Sequence, residues 1–111
     1  MSTRFVCWTK ETRIDTNDVE LARRLLAEGK LHRTGGPAFI LNDAKQEGWY
    51  YDGKISRLSG PAIYNIEDGD DGYWYINGIL LDTKEVEEWI AENKINLKTK
   101  IGQMAFKLRW L

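Results

Sequence analysis

The segment GKLHRTGGPAF, beginning at Gly29, returns as GKISRLSGPAI beginning at Gly53. A chain of 111 residues that repeats so short a unit builds a supersecondary element stacked beside itself, because one such unit cannot bury an apolar face alone. The two copies differ in length at one place. Pro37 and Pro61 stand one residue closer together than Trp49 and Trp74, so the second copy holds its extra residue in NIEDGDDG, against NDAKQEG in the first. A loop absorbs one residue at little cost, whereas a strand would lose its register. Asp52-Gly53 follows WYY and Asn77-Gly78 follows WYI. Asp-Gly and Asn-Gly between apolar runs signal two-residue hairpin turns, since a type I′ turn needs positive φ at both central residues. The unit is therefore a Gly-Pro-Ala strand, a loop, a Trp-Tyr strand, a tight turn and a return strand. Pro37 and Pro61 fall at strand starts, where no ladder donor is required.

The flanks read differently. RFVCWTK is β-branched and aromatic and predicts a strand. In TNDVELARRLLAEG, Asn17 as N-cap with Glu20 three residues on, an apolar face of Val19, Ala22 and Leu26, and Gly29 as the stop predict a helix. A third copy of the repeat begins at NGILLD and fails where Gly-Pro-Ala is due. DTKEVEEWIAEN follows instead, with Asp82 as N-cap, Glu85 at the third helical position, and Val86, Trp89 and Ile90 on one face. A helix there caps the array and covers an open sheet edge. In the tail, alternation of Met104, Phe106, Leu108 and Trp110 favours a strand, and a helix with Ile101, Met104, Ala105 and Leu108 on one face is the alternative. The expected fold is α+β: an antiparallel β-meander of two and a half hairpin repeats, flanked and capped by two α-helices. It forms a single domain over 1–111, with a helix at 17–28, repeats at 28–81, a capping helix at 83–93 and a terminal segment at 101–111.

Composition bounds the function. Hydrophobic residues at 42% and charged residues at 30% describe a folded chain. Five Trp and five Tyr are a heavy aromatic load, and such residues serve both cores and binding surfaces. Sixteen basic residues against seventeen acidic ones argue against a nucleic-acid partner, which draws on a basic excess. One Cys and one His allow no internal disulfide and no Cys/His metal cluster, and no cofactor is implied. EDGDDG fails as a calcium loop, because Gly72 falls on a ligand position and no Glu follows at the required spacing. No phosphate-cradling loop and no Ser/His/Asp set is present, and nothing singles out one pair among the acids. A non-enzyme is expected. No apolar run has the length of a membrane span, and the first residues lack a signal-peptide core, which points to the cytoplasm.

The turns fix which residues share a face. Tyr51 faces Lys54, Tyr50 faces Ile55 and Trp49 faces Ser56; Ile76 faces Ile79, Tyr75 faces Leu80 and Trp74 faces Leu81. Trp49, Trp74, Ile76, Ile79 and Leu81 then line one side, and Tyr50, Tyr75, Ile55 and Leu80 the other. Both sides are apolar, so the second needs the terminal segments, a partner or a ligand to cover it. Arg33 and Arg57 either pair with carboxylates elsewhere or point outward as anion ligands.

The pattern W-Y-x-[ND]-G-K-[LI]-[HS]-R-x-x-G-P-A resembles the degenerate MORN-like repeat of small bacteriophage proteins. It matches at Gly29 to Arg33 and Gly36 to Ala38, again from Trp49 to Ala62, and again at Trp74, Tyr75, Asn77 and Gly78. The resemblance covers roughly 28–90, includes the helix after the last repeat, and brings no catalytic residues. Gly35 and Ser59 stand where the phage-type unit carries Asp, and Ser56 stands where the first copy has His32. What the resemblance implies is a binding protein in a bacterial host's cytoplasm, acting on a host protein, with inhibition of host defence as one form of that action. Two further readings are a holder of a small anionic ligand such as a nucleotide, and a structural homodimer. The candidate contact residues are Tyr50, Tyr51 and Tyr75, with Arg33, Arg57 and His32 beside them.

Overall fold

A computed structural model describes residues 4–42, 45–66 and 72–110. The architecture is α+β. Strands β1 (Phe5–Trp8) and β2 (Arg13–Thr16) form a hairpin, followed by helix α1 (Val19–Ala27). Strands β3 (Phe39–Leu41), β4 (Gln46–Gly48) and β7 (Ile63–Asn65) complete a five-stranded antiparallel sheet in the order β2-β1-β3-β4-β7. Two separate hairpins, β5 (Tyr50–Tyr51) with β6 (Lys54–Ile55) and β8 (Tyr75–Ile76) with β9 (Ile79–Leu80), carry the tight turns. Helices α2 (Thr83–Asn93) and α3 (Lys100–Trp110) close the chain. The repeats thus form a broken meander rather than one continuous sheet.

Both dipeptide turns have the geometry their residues demand. Asp52 and Gly53 sit at φ 51° and 79°, Asn77 and Gly78 at 51° and 81°. The cross-strand partners follow: Tyr51 with Lys54, Tyr50 with Ile55, Ile76 with Ile79, Tyr75 with Leu80. The one-residue insertion inferred for the second loop falls at 67–71, outside the described residues.

Backbone hydrogen bonds show how one unit lies on the next. Trp49 N donates to Ala62 O at 2.7 Å, and Trp8 N donates to Ala38 O at 2.7 Å. Ser56 N donates to Trp49 O, and His32 N donates to Trp8 O. The isolated Thr9–Leu31 bridge repeats the Tyr50–Ile55 and Tyr75–Leu80 pairings. Trp8 therefore heads a copy of the unit whose tight turn is replaced by β2 and α1. The array has three tiers, headed by Trp8, Trp49 and Trp74. The alanine of each Gly-Pro-Ala, Ala38 and Ala62, is wholly buried where adjacent tiers meet.

The tiers separate two cores at the ends of a molecule 45 × 29 × 20 Å in extent. Phe5, Cys7, Ala22, Leu31 and Ala38 form the first, with Leu25 of α1 and Tyr50 packed against it. Trp74, Ile76, Leu81, Val86 and Phe106 form the second, with Trp89, Ile90 and Trp110 around them. Phe106 meets Trp74 and Trp110 edge to face, with ring centroids 5.6 and 5.3 Å apart.

Three expectations need correction. The N-cap of α1 is Asp18, not Asn17: its carboxylate accepts from Glu20 N at 3.0 Å and Leu21 N at 3.2 Å, which a residue one position earlier does not reach. Asp82 does cap α2, accepting from Glu85 N at 3.0 Å. Among the described residues three helices stand where two were expected, because the tail, open between strand and helix in the sequence, is helical. Thr99 Oγ1 accepts the Gly102 N–H at 3.0 Å and starts α3. Gly102, Phe106 and Trp110, four residues apart, then share the inward face of the helix. Trp49 and Trp74 do not share one buried face with Ile79: Trp74 is buried and Trp49 half-buried, and Ile79 lies open. Ile79 follows the turn glycine as Lys54 does in the tier before, a position exposed in both.

Candidate functional site

Each repeat arginine is fixed by its own tier. Arg33 Cζ lies 4.2 Å from the ring centroid of Trp8, and Arg57 Cζ lies 3.8 Å from that of Trp49. Arg33 Nη1 donates to Pro37 O at 3.1 Å, and Arg57 Nη1 donates to Pro61 O at 3.0 Å. Against the other side of each guanidinium comes the glycine of Gly-Pro-Ala. A methyl group on Gly36 would lie 2.7 Å from Arg33 Cζ, and one on Gly60 would lie 3.2 Å from Arg57 Cζ. The motif R-x-x-G-P-A is one device: an indole holds the cation, a carbonyl orients it, and a glycine leaves room for it. Among the described residues neither arginine has a carboxylate partner, so the expected ion pairs are absent. The cation–π contact and the carbonyl stand in their place. Ser59 fills part of the missing acid's task, accepting from Arg57 Nε at 2.9 Å. Burial disfavours the Arg57 charge and lowers its pKa, against a raising influence from Tyr64. Tyr64 itself donates to Glu47 at 2.6 Å and accepts from Trp49 Nε1 at 3.1 Å.

His32 serves the turn of the following tier. Its Nδ1 accepts the Asp52 N–H at 2.9 Å, and Ser56 Oγ accepts the Asn77 N–H at 3.0 Å at the matching place. This explains how Ser substitutes for His in the second copy: both present one acceptor to a turn N–H that faces no other.

The structure sorts the candidate contact residues into three places. Tyr50 is half-buried against the first core, and desolvation raises its phenol pKa. Tyr75 is half-buried, and its carbonyl accepts from Arg57 N at 3.1 Å. His32 lines a cavity of about 420 Å³ beside α1 whose charges are mixed, with Lys10, Lys30, Glu11, Glu28 and Asp52. Arg33, Arg57 and Tyr51 come together at a second place. They line a groove of about 620 Å³ between the repeat loops and α3, with Trp49, Ser56, Asn77, Gln103 and Lys107 among its walls. Tyr51 is exposed, with its ring 4.6 Å from that of His32.

A second surface lies on α3. Ile101, Met104 and Leu108 are 85%, 57% and 70% exposed, on the side of the helix away from Gly102 and Phe106. These three residues carried the helical reading of the tail, and they form a stripe left outside the core.

Sequence reasoning missed Trp8, Gln103 and Lys107. The spacing of Trp8 is disguised by the β2–α1 insertion, and Gln103 and Lys107 meet only because α3 is a helix. Among the described residues no helix is long and apolar enough to cross a membrane, and no group of three or more His, Cys, Asp or Glu is placed to hold a metal. Comparisons with protein-family models, with curated proteins and with solved structures find no match to this chain.

Proposed function

We propose that this is a non-enzymatic binding protein that docks α3 onto a protein partner. The observation that carries the reading is the stripe of Ile101, Met104 and Leu108, exposed although the same helix already buries Gly102 and Phe106. Their spacing of i, i+3 and i+7 is that of helices that lie in an apolar groove of another protein. Lys100, Lys107 and Arg109 flank the stripe, and α3 contains no acidic residue. The partner surface is therefore an apolar groove with an acidic rim. The resemblance of the repeats to those of phage proteins makes a bacterial host factor, such as one of host defence, the class of partner. On this reading Tyr50, Arg33 and Arg57 hold the tiers in register, and the contact lies on α3.

The test is site-specific photo-crosslinking in a bacterial lysate, with the crosslinker placed at Met104 or, as a control, at Val19 on α1. A discrete adduct at Met104, absent at Val19 and abolished by Leu108→Glu at unchanged melting temperature, supports the reading. A product of twice the chain mass means a homodimer, and equal labelling at both sites means no docking face.

A further inference from the structure

The groove between the repeat loops and α3 has its own chemistry, distinct from the apolar stripe. Arg33, Arg57 and Lys107 line it, no acidic residue does, and among the described residues none of the three is ion-paired. In a chain of net charge −1, three unpaired cations at one groove are a local excess of one sign. Arg33 retains Nε and Nη2 as donors without a partner among the described residues, while Arg57 is held by Ser59, Pro61 O and Tyr64 and brings its charge to the groove. Gln103, one helical turn from Lys107, has its Nε2 held by Leu97 O at 2.9 Å and borders the groove, and Tyr51 adds an exposed ring at the groove wall. At about 620 Å³ the groove has the size of a small-molecule site.

We propose that this groove binds a small phosphorylated aromatic molecule of the nucleotide class, its phosphates on Arg33, Arg57 and Lys107 and its ring against Tyr51. Guanidinium groups already stacked on indoles are pre-organised to meet phosphate oxygens through their remaining edges. The aromatic wall separates this ligand from inorganic phosphate. The near-neutral chain offers no extended basic track for a polynucleotide.

The test is calorimetric titration of the intact protein with ADP, adenosine and pyrophosphate. ADP is expected to bind one to one, with adenosine and pyrophosphate at least about 10-fold weaker. Lys107→Glu, at an exposed position that leaves the tiers untouched, weakens ADP about 10-fold or more. Tyr51→Ala weakens ADP and leaves pyrophosphate unchanged. Absence of ADP and pyrophosphate binding at millimolar concentration overturns the proposal, as does an ADP affinity indifferent to Lys107→Glu. Tighter binding of a single-stranded oligonucleotide or a phosphopeptide at the same residues also overturns it, since the ligand class is then wrong. None of these outcomes depends on whether α3 docks to a protein.

Discussion

Replacing Gly36 by Ala isolates the device on which the tiers depend. The new methyl carbon would lie 2.7 Å from Arg33 Cζ and 2.9 Å from Nε, well inside the 3.4 Å at which ordinary contact begins. The guanidinium lies 4.2 Å from the Trp8 centroid, so it has little room to retreat toward the ring and must leave its place. What is lost is a charge-assisted bond to Pro37 O, about 1.5–3 kcal/mol at full strength and less for a half-buried group, and a cation–π contact of about 0.5–1 kcal/mol. Gly36 is not at positive φ, so Ala brings no backbone strain and stabilises through the unfolded chain by about 0.4–1 kcal/mol. The net expectation is a loss of about 1.5–2 kcal/mol, a urea midpoint lower by about 1 M. In an Arg33→Ala background the same change becomes neutral or slightly stabilising, because the group it strikes is gone. Urea unfolding of the four proteins, followed by tryptophan fluorescence, gives a coupling of about 2 kcal/mol. Additive effects would refute the argument that the glycine exists for the arginine.

Three further outcomes follow from the same geometry. Gly53→Val destabilises more than Gly78→Val by about 2 kcal/mol or more in thermal or urea unfolding, since a side chain at Gly53 meets Gly29 O at 2.5 Å while one at Gly78 meets nothing closer than Lys54 Cβ at 3.9 Å, and both carry the same positive-φ strain. His32→Ser leaves stability within about 0.5 kcal/mol of the native chain, and His32→Leu costs about 1–3 kcal/mol by orphaning the Asp52 N–H; equal losses in both would contradict the acceptor role. The Lys10 ammonium beside Asp52 holds that carboxylate's pKa below the ordinary 3.8. A pKa depressed in the folded state contributes stability above pH 3.8 that is lost as pH falls through the folded value. Acid unfolding curves should therefore show Asp52→Asn, which recreates the Asn-Gly turn of the next tier, losing less stability below pH 4 than the native chain does.

The legible part of this fold was the part written in rigid local chemistry. Asp-Gly and Asn-Gly fixed both turns and, through them, the partners of Tyr50, Tyr51, Tyr75 and Ile76. Asp82 announced α2 in the same way. What escaped depends on distant neighbours. Trp8 could not be matched to Trp49 and Trp74 because an inserted hairpin and helix separate it from Leu31, His32 and Arg33. The tail satisfied a strand period and a helical period at once, and Gly102 decided the matter: its missing side chain lets α3 approach Asn96 O, where a methyl group would lie at 1.9 Å. With the tail left open between strand and helix, Gln103 and Lys107 could not be placed beside Arg33 and Arg57. Of the Tyr50 side, expected to be the free face, Tyr50 packs on the first core while Leu80 stays exposed, and a further exposed apolar stripe lies on α3.

The central claim is that the tiers and their caps form a self-sufficient fold and that the stripe on α3 is surplus to it. Thermal unfolding of Ile101→Glu/Leu108→Glu beside Phe106→Ala tests this directly. Phe106 is wholly buried, and its truncation should cost about 3–5 kcal/mol, close to the whole stability of a small domain. The doubly charged variant should melt within about 2 °C of the native protein, as surface substitutions do, while losing the α3 crosslink. A melting temperature that falls as far as that of Phe106→Ala would place the stripe in the core and contradict the account.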